Sequence, residues 1–130
     1  MIVIDASTLV EVLLRTSAAG RIEARIFAAG ETMHAPHLLD IEVAQVIRRW
    51  AMRGDIAMDQ GGEAMRDLAD WPVARYPHGL LLPRIWALRH NLTAYDASYV
   101  ALAEVLGGVL LTRDARLAAA SGHQARIEVI

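Results

Sequence analysis

Residues 93–114 read TAYDASYVALAEVLGGVLLTRD, and this stretch decides the fold class. From Ala94 to Leu106 it is apolar nearly all round, with Tyr99, Val100, Leu102, Val105 and Leu106 set among alanines. A helix with no polar face is a buried helix. Gly107 and Gly108 end it, and Val109-Leu110-Leu111-Thr112 follows as a strongly apolar strand. Continuous rather than alternating apolar strands belong to parallel sheets covered on both faces. Asp114 then lies just past the carboxyl end of that strand, opening a short helix to Ala120.

The chain start repeats the pattern. Ile2-Val3-Ile4 is a short buried strand, Asp5 follows it directly, and a helix runs from Ala6 to Leu14. Between these ends, helices are expected over 18–29, 38–53, 56–69 and 80–90, and strands over 32–35, 73–76 and 127–130. Strands separated by helices make an α/β domain with a parallel sheet. The site of such a sheet lies at the carboxyl ends of its strands.

At 130 residues and 14.2 kDa, one domain spanning 1–130 is expected. There is no cysteine, which removes disulfides, thiolate catalysis and cysteine-based metal sites and fits a reducing cytoplasm. Hydrophobic residues make up 55% and mean hydropathy is +0.29, much of it alanine. No apolar run approaches the roughly 18 residues of a membrane helix, and the first residues carry Asp5 and no basic region, unlike a signal peptide. All 13 basic residues are arginine, which excludes a P-loop lysine and Schiff-base chemistry. A net charge of −2 does not suit nucleic-acid binding by bulk charge, so such contact needs a local patch.

Four carboxylates are hard to place on a surface. Asp5 and Asp114 each follow a buried strand, at the same edge of the sheet. Taken alone, each reads as a helix cap. On a helical wheel at about 100° per residue, Leu38, Leu39, Val43, Val46, Ile47 and Trp50 make one arc with Glu42 inside it. Thr93-Ala94-Tyr95-Asp96 resembles a capping box, yet it opens the buried helix. Converging carboxylates repel unless a cation joins them. An oxygen-only set points to Mg²⁺ or Mn²⁺, which suits hydrolysis of a phosphodiester.

Asp5-Ala6-Ser7, Leu39-Asp40-Ile41-Glu42-Val43, the segment from Thr93 to Glu104 around Asp96, and Leu110-Leu111-Thr112-Arg113-Asp114 together resemble the PIN domain. The resemblance is nearer still to the VapC toxins of bacterial toxin–antitoxin pairs, and it covers essentially the whole chain in order and spacing. It implies a three-layer α/β/α sandwich with a central parallel sheet and a Mg²⁺- or Mn²⁺-dependent endoribonuclease. Asp5, Glu42, Asp96 and Asp114 match the acidic quartet. Asp5, Asp96 and Asp114 would hold the metal, and Glu42 would orient or deprotonate the attacking water or bind a second metal. Ser7 and Thr112 match supporting positions. The implied partners are an RNA substrate, a VapB-like antitoxin and a second copy of the chain, with operator DNA reached only through the antitoxin.

Arg113 is a candidate RNA contact, with Arg116, Arg84 and Arg89 as weaker ones. Trp50 and Trp86 are expected in the core or an interface, and His34 and His37 are expected to be structural. Two rival readings remain. One is a PIN-like nuclease acting in RNA processing or on DNA. The other is a catalytically silent module that docks a partner and co-represses an operator.

Overall fold

Ile2–Ile4 forms β1, in which every residue is fully buried. A computed structural model describes residues 1–130, and β1 is the middle strand of its five-stranded sheet. After β1 come α1 (Ala6–Leu13), α2 (Ala19–Ile26), β2 (Met33–Pro36), α3 (Leu38–Met52), α4 (Met58–Asp70) and β3 (Val73–Tyr76). A 3-10 turn (Gly79–Leu81) leads into α5 (Leu82–Ala87), followed by α6 (Ala94–Leu106), β4 (Val109–Thr112), α7 (Ala115–Ala119) and β5 (Arg126–Val129).

The strand order is β3-β2-β1-β4-β5 and every pair is parallel. Ile2, Val3 and Ile4 of β1 pair with Val109, Leu110 and Leu111 of β4. From β1 the chain steps through β2 to β3, then crosses to the other side of β1 to form β4 and β5. With right-handed crossovers, α1 to α4 cover one face of the sheet and α5 to α7 the other, making three layers. The reversal puts a switch point between the carboxyl ends of β1 and β4, where sites of such sheets form.

The core is one cluster that includes Ile2, Ile4, Leu9, Leu39, Leu102, Leu110 and Leu111. Each such side chain contributes about 1.5–3 kcal/mol of burial free energy. Leu39, Val43 and Ile47 bury the inner face of α3, with Leu38, Val46 and Trp50 packed at its margins, as the wheel requires. Seven consecutive residues of α6, Ala97 to Ala103, are buried.

One expected element is divided. The helix anticipated over 80–90 is a 3-10 turn and a short α5 that ends at Ala87. Pro83 lacks the N–H of a helix interior and is tolerated only in a first turn, so α5 begins at Leu82 with Pro83 in its first turn. The helix expected to run to Ala29 stops at Ile26, and Gly30, at φ +81°, turns the chain beyond it.

Candidate active site

Asp5 is delivered by β1 and caps α1: its Oδ1 accepts from the Thr8 N–H at 3.0 Å. It does more than cap. The Ser7 hydroxyl donates to the same oxygen at 2.7 Å, and the Thr112 hydroxyl from the end of β4 donates to Oδ2 at 2.5 Å. Those two hydroxyls also accept backbone N–H bonds, Ser7 from Arg113 at 3.1 Å and Thr112 from Asp114 at 3.0 Å. One web of hydrogen bonds thus ties the carboxyl ends of β1 and β4 around a carboxylate that is only 8% exposed. Burial raises the Asp5 pKa, against the bonds from Thr112, Ser7 and Thr8.

Glu42 rises from α3, half-buried, and its Oε1 accepts from the Tyr99 hydroxyl of α6 at 2.6 Å. Its pKa is raised by burial first and further by the charges of Asp96 and Asp5, with the Tyr99 bond opposing. Asp96 lies in the first turn of α6, where its N–H donates to the Thr93 capping hydroxyl at 3.2 Å. Its carboxylate does not complete the capping box by bonding the Thr93 N–H. Burial and then the charge of Asp114 raise its pKa, with Asp5 adding to the effect and Thr93 and Arg116 opposing it.

Asp114 differs. It caps α7 through the Arg116 N–H, and the Arg116 guanidinium grips both its oxygens at 3.2 and 3.1 Å. That grip, first among the causes, lowers the Asp114 pKa. The expected convergence of four carboxylates is therefore modified. Asp5, Glu42 and Asp96 repel one another and none of them is in a salt bridge, whereas Asp114 borders them already paired with Arg116, whose charge also offsets Asp96. No three acidic or histidine side chains close into a coordination shell. The reason is physical: like charges repel, Ser7 and Thr112 occupy the Asp5 oxygens, and Arg116 holds both oxygens of Asp114.

The donor set still fits a hard divalent cation. It offers only oxygens, and its three unpaired carboxylates pay a desolvation and repulsion cost that a cation relieves.

The candidate RNA arginines are engaged within the chain. Arg113 pairs with Glu11 at 3.3 Å and donates to the Ile130 carbonyl at 3.0 Å. Arg84 makes a two-pronged bond to Glu104 at 2.7 and 3.0 Å. Arg89 stacks over the Trp86 ring, 4.6 Å from its centroid. Arg116 stays at the mouth with its side chain 92% exposed. His34 bridges Thr32 and Tyr76 at 2.8 and 2.7 Å, a structural place as expected. Tyr99 is the site residue that sequence reasoning counted only as core. Its spacing of three from Asp96, which puts both on one face of α6, was the available signal.

The fold and these carboxylates define a class. A sequence profile of the PIN domain matches residues 2–122, and the chain belongs to the PIN family. Over all 130 of its residues the chain is 43% identical to the VapC ribonuclease Mb0985 of Mycobacterium bovis and to ribonuclease VapC9 of Mycobacterium tuberculosis, covering 98% of each. It is 42% identical to ribonuclease VapC12 of Mycobacterium tuberculosis, covering 99% of that protein. The crystal structure of PAE2754 from Pyrobaculum aerophilum shares the fold at a TM-score of 0.75 and 22% identity, over 99% of this chain and 83% of that one. Mycobacterium tuberculosis VapC20, described as a sarcin–ricin-loop-cleaving toxin, matches at a TM-score of 0.68 and 16% identity, over 92% and 94%.

Proposed function

We propose that the chain is a VapC-type endoribonuclease, the toxic partner of a toxin–antitoxin pair, and that it hydrolyses RNA phosphodiester bonds with Mg²⁺ or Mn²⁺. One observation carries this reading. Asp5, Glu42 and Asp96 stand together, none of them in a salt bridge, at the switch point of a PIN fold. Relatives named VapC ribonucleases at 42–43% identity over the full chain support it.

Asp5, Asp96 and Asp114 would hold the cation. A divalent cation supplies Lewis acidity toward the scissile phosphate and acidifies water. Asp5 is suited to a fixed position, because both its oxygens are bonded to β4 and α1. Glu42 orients or deprotonates the attacking water, or shares a second cation. The Tyr99 hydroxyl holds only its Oε1, which leaves Oε2 open to a water. Arg116 is exposed and pivots from Asp114 to an RNA phosphate, with Arg113 beside it. Arg84 and Arg89, held by Glu104 and Trp86, are lesser contacts.

A VapB-like antitoxin is the expected partner, and an arginine on it would find three unpaired carboxylates to bind. Self-association follows from surface chemistry: Leu80 is 90% exposed and Trp86 69%, with Leu82 and Tyr95 also open. Trp86 therefore lies on the surface and not in the core. Operator DNA is reached only through the antitoxin. No helix is long and apolar enough to cross a membrane.

The deciding experiment is RNA cleavage with Mg²⁺, with Mn²⁺ and with EDTA, comparing wild type with Asp96→Asn. Cleavage that needs the metal and Asp96 supports the reading. Activity indifferent to EDTA, or none in antitoxin-free protein across varied RNAs, sinks it.

A further inference from the structure

Tyr99 is 2% exposed in the middle of α6, and its hydroxyl donates to Glu42 Oε1 at 2.6 Å. No other side chain or backbone group bonds the Glu42 carboxylate. A glutamate has three rotatable torsions, and Glu42 is half-buried, so water is within its reach. The charges of Asp5 and Asp96 both push on it. Without a donor, the side chain would turn outward, away from the other two carboxylates.

We infer that Tyr99 is a positioning residue of the nuclease: its hydroxyl holds the Glu42 carboxylate beside Asp5 and Asp96. The inference rests on the reading of the site as a nuclease centre. The two α6 residues are spaced i, i+3 and share a helix face, so one helix supplies both a carboxylate of the site and the group that aims another. The bond joins α6 to α3, two helices from opposite faces of the sheet, over its carboxyl edge. Burial first, then the bond to Glu42 and the neighbouring negative charges, drive the phenol pKa far upward. The hydroxyl therefore stays a donor and is not an acid or base in its own right.

A purely packing role makes a different demand. The ring fills the core equally well as phenylalanine, and only the hydroxyl separates the two roles. The test is Tyr99→Phe in the wild-type and Glu42→Ala backgrounds, read as kcat and KM for RNA and as Mn²⁺ affinity by calorimetry on metal-stripped protein. Partners that orient a metal site typically cost about 10–100-fold in affinity or activity when removed. Tyr99→Phe is expected to lower kcat by about tenfold or more, to weaken Mn²⁺ binding, and to leave KM for RNA within about twofold. In the Glu42→Ala background nothing remains to be held, so Tyr99→Phe should cost nothing further. Wild-type kcat and Mn²⁺ affinity in Tyr99→Phe overturn the inference, as does an equal loss in both backgrounds, which marks a packing role. A wild type that neither binds Mn²⁺ nor cuts RNA overturns the nuclease reading and this inference with it.

Discussion

Asp96 satisfies two descriptions at once, since it sits in the first turn of α6 and also stands beside Asp5, Glu42 and Asp114. The descriptions differ in what asparagine does there. A carboxylate that only complements the helix dipole contributes about 0.3–1 kcal/mol, so Asp96→Asn would lower the melting temperature of the metal-free protein. A carboxylate in a repelling cluster costs stability without metal, so its removal leaves the melting temperature unchanged or raises it. We expect the second outcome in EDTA. At 100 times its Kd, Mn²⁺ should stabilise wild type by about 2.7 kcal/mol and the variant far less. Melts of both proteins with EDTA and with Mn²⁺ decide it, and a variant that melts lower in EDTA yet responds normally to Mn²⁺ returns Asp96 to capping alone.

The elements that carry the site depend on two features at the foot of α6. Gly107 ends the helix at φ +64°, with open space where a Cβ would stand. Gly107→Ala should therefore cost about 1–2 kcal/mol from left-handed strain alone. At Gly108 a Cβ would lie 2.9 Å from the Met1 carbonyl oxygen, which is backbone beside β1 and cannot turn aside. Gly108→Ala should cost more than Gly107→Ala in urea denaturation, and the reverse order would contradict this account. The second feature is the Arg84–Glu104 pair that fastens α5 to α6. The bond from Arg84, first among the causes, lowers the Glu104 pKa. A carboxylate lowered on folding stabilises the protein above its unfolded value of about 4.3, and that contribution fades as pH falls through the folded value. Glu104→Gln should thus cost roughly 1 kcal/mol at pH 7 and progressively less as the pH drops below 4. A difference that persists unchanged in acid would show that the charge is not what matters.

For the whole molecule, the open question of chemistry is the apolar surface around α5. Large exposed aromatic side chains concentrate binding energy at interfaces, where truncation costs about 2 kcal/mol or more. Trp86 is 69% exposed, so Trp86→Glu leaves the core untouched. Sedimentation equilibrium should find wild type as a dimer and Trp86→Glu shifted toward monomer at the same concentration. A variant that remains fully dimeric places the interface elsewhere, and a wild type that is monomeric at every concentration removes the dimer.

The sequence by itself determined the layers and the edge on which the site forms. Apolar strands at Ile2–Ile4 and Val109–Thr112 can only be covered on both faces, and an aspartate stands within two residues of the end of each, Asp5 directly after β1 and Asp114 one residue past Arg113. The α3 wheel likewise put Glu42 on a buried arc, because burial in a helix follows local periodicity. Three things were decided by tertiary structure alone. The strand order that brings β1 beside β4, and so Thr112 onto Asp5, depends on pairing between residues 107 apart. The Tyr99 bond to Glu42 spans 57 residues and two helices, and no local pattern encodes it. Arg116 neutralises Asp114 because Asp114 caps α7 and Arg116 lies in its first turn, but the Arg116 side chain could equally have faced solvent. Periodicity reports which side of an element is buried. Which charged or polar group meets which across the core is set by the packing of elements distant in sequence, and that pairing separates a helix cap from a site.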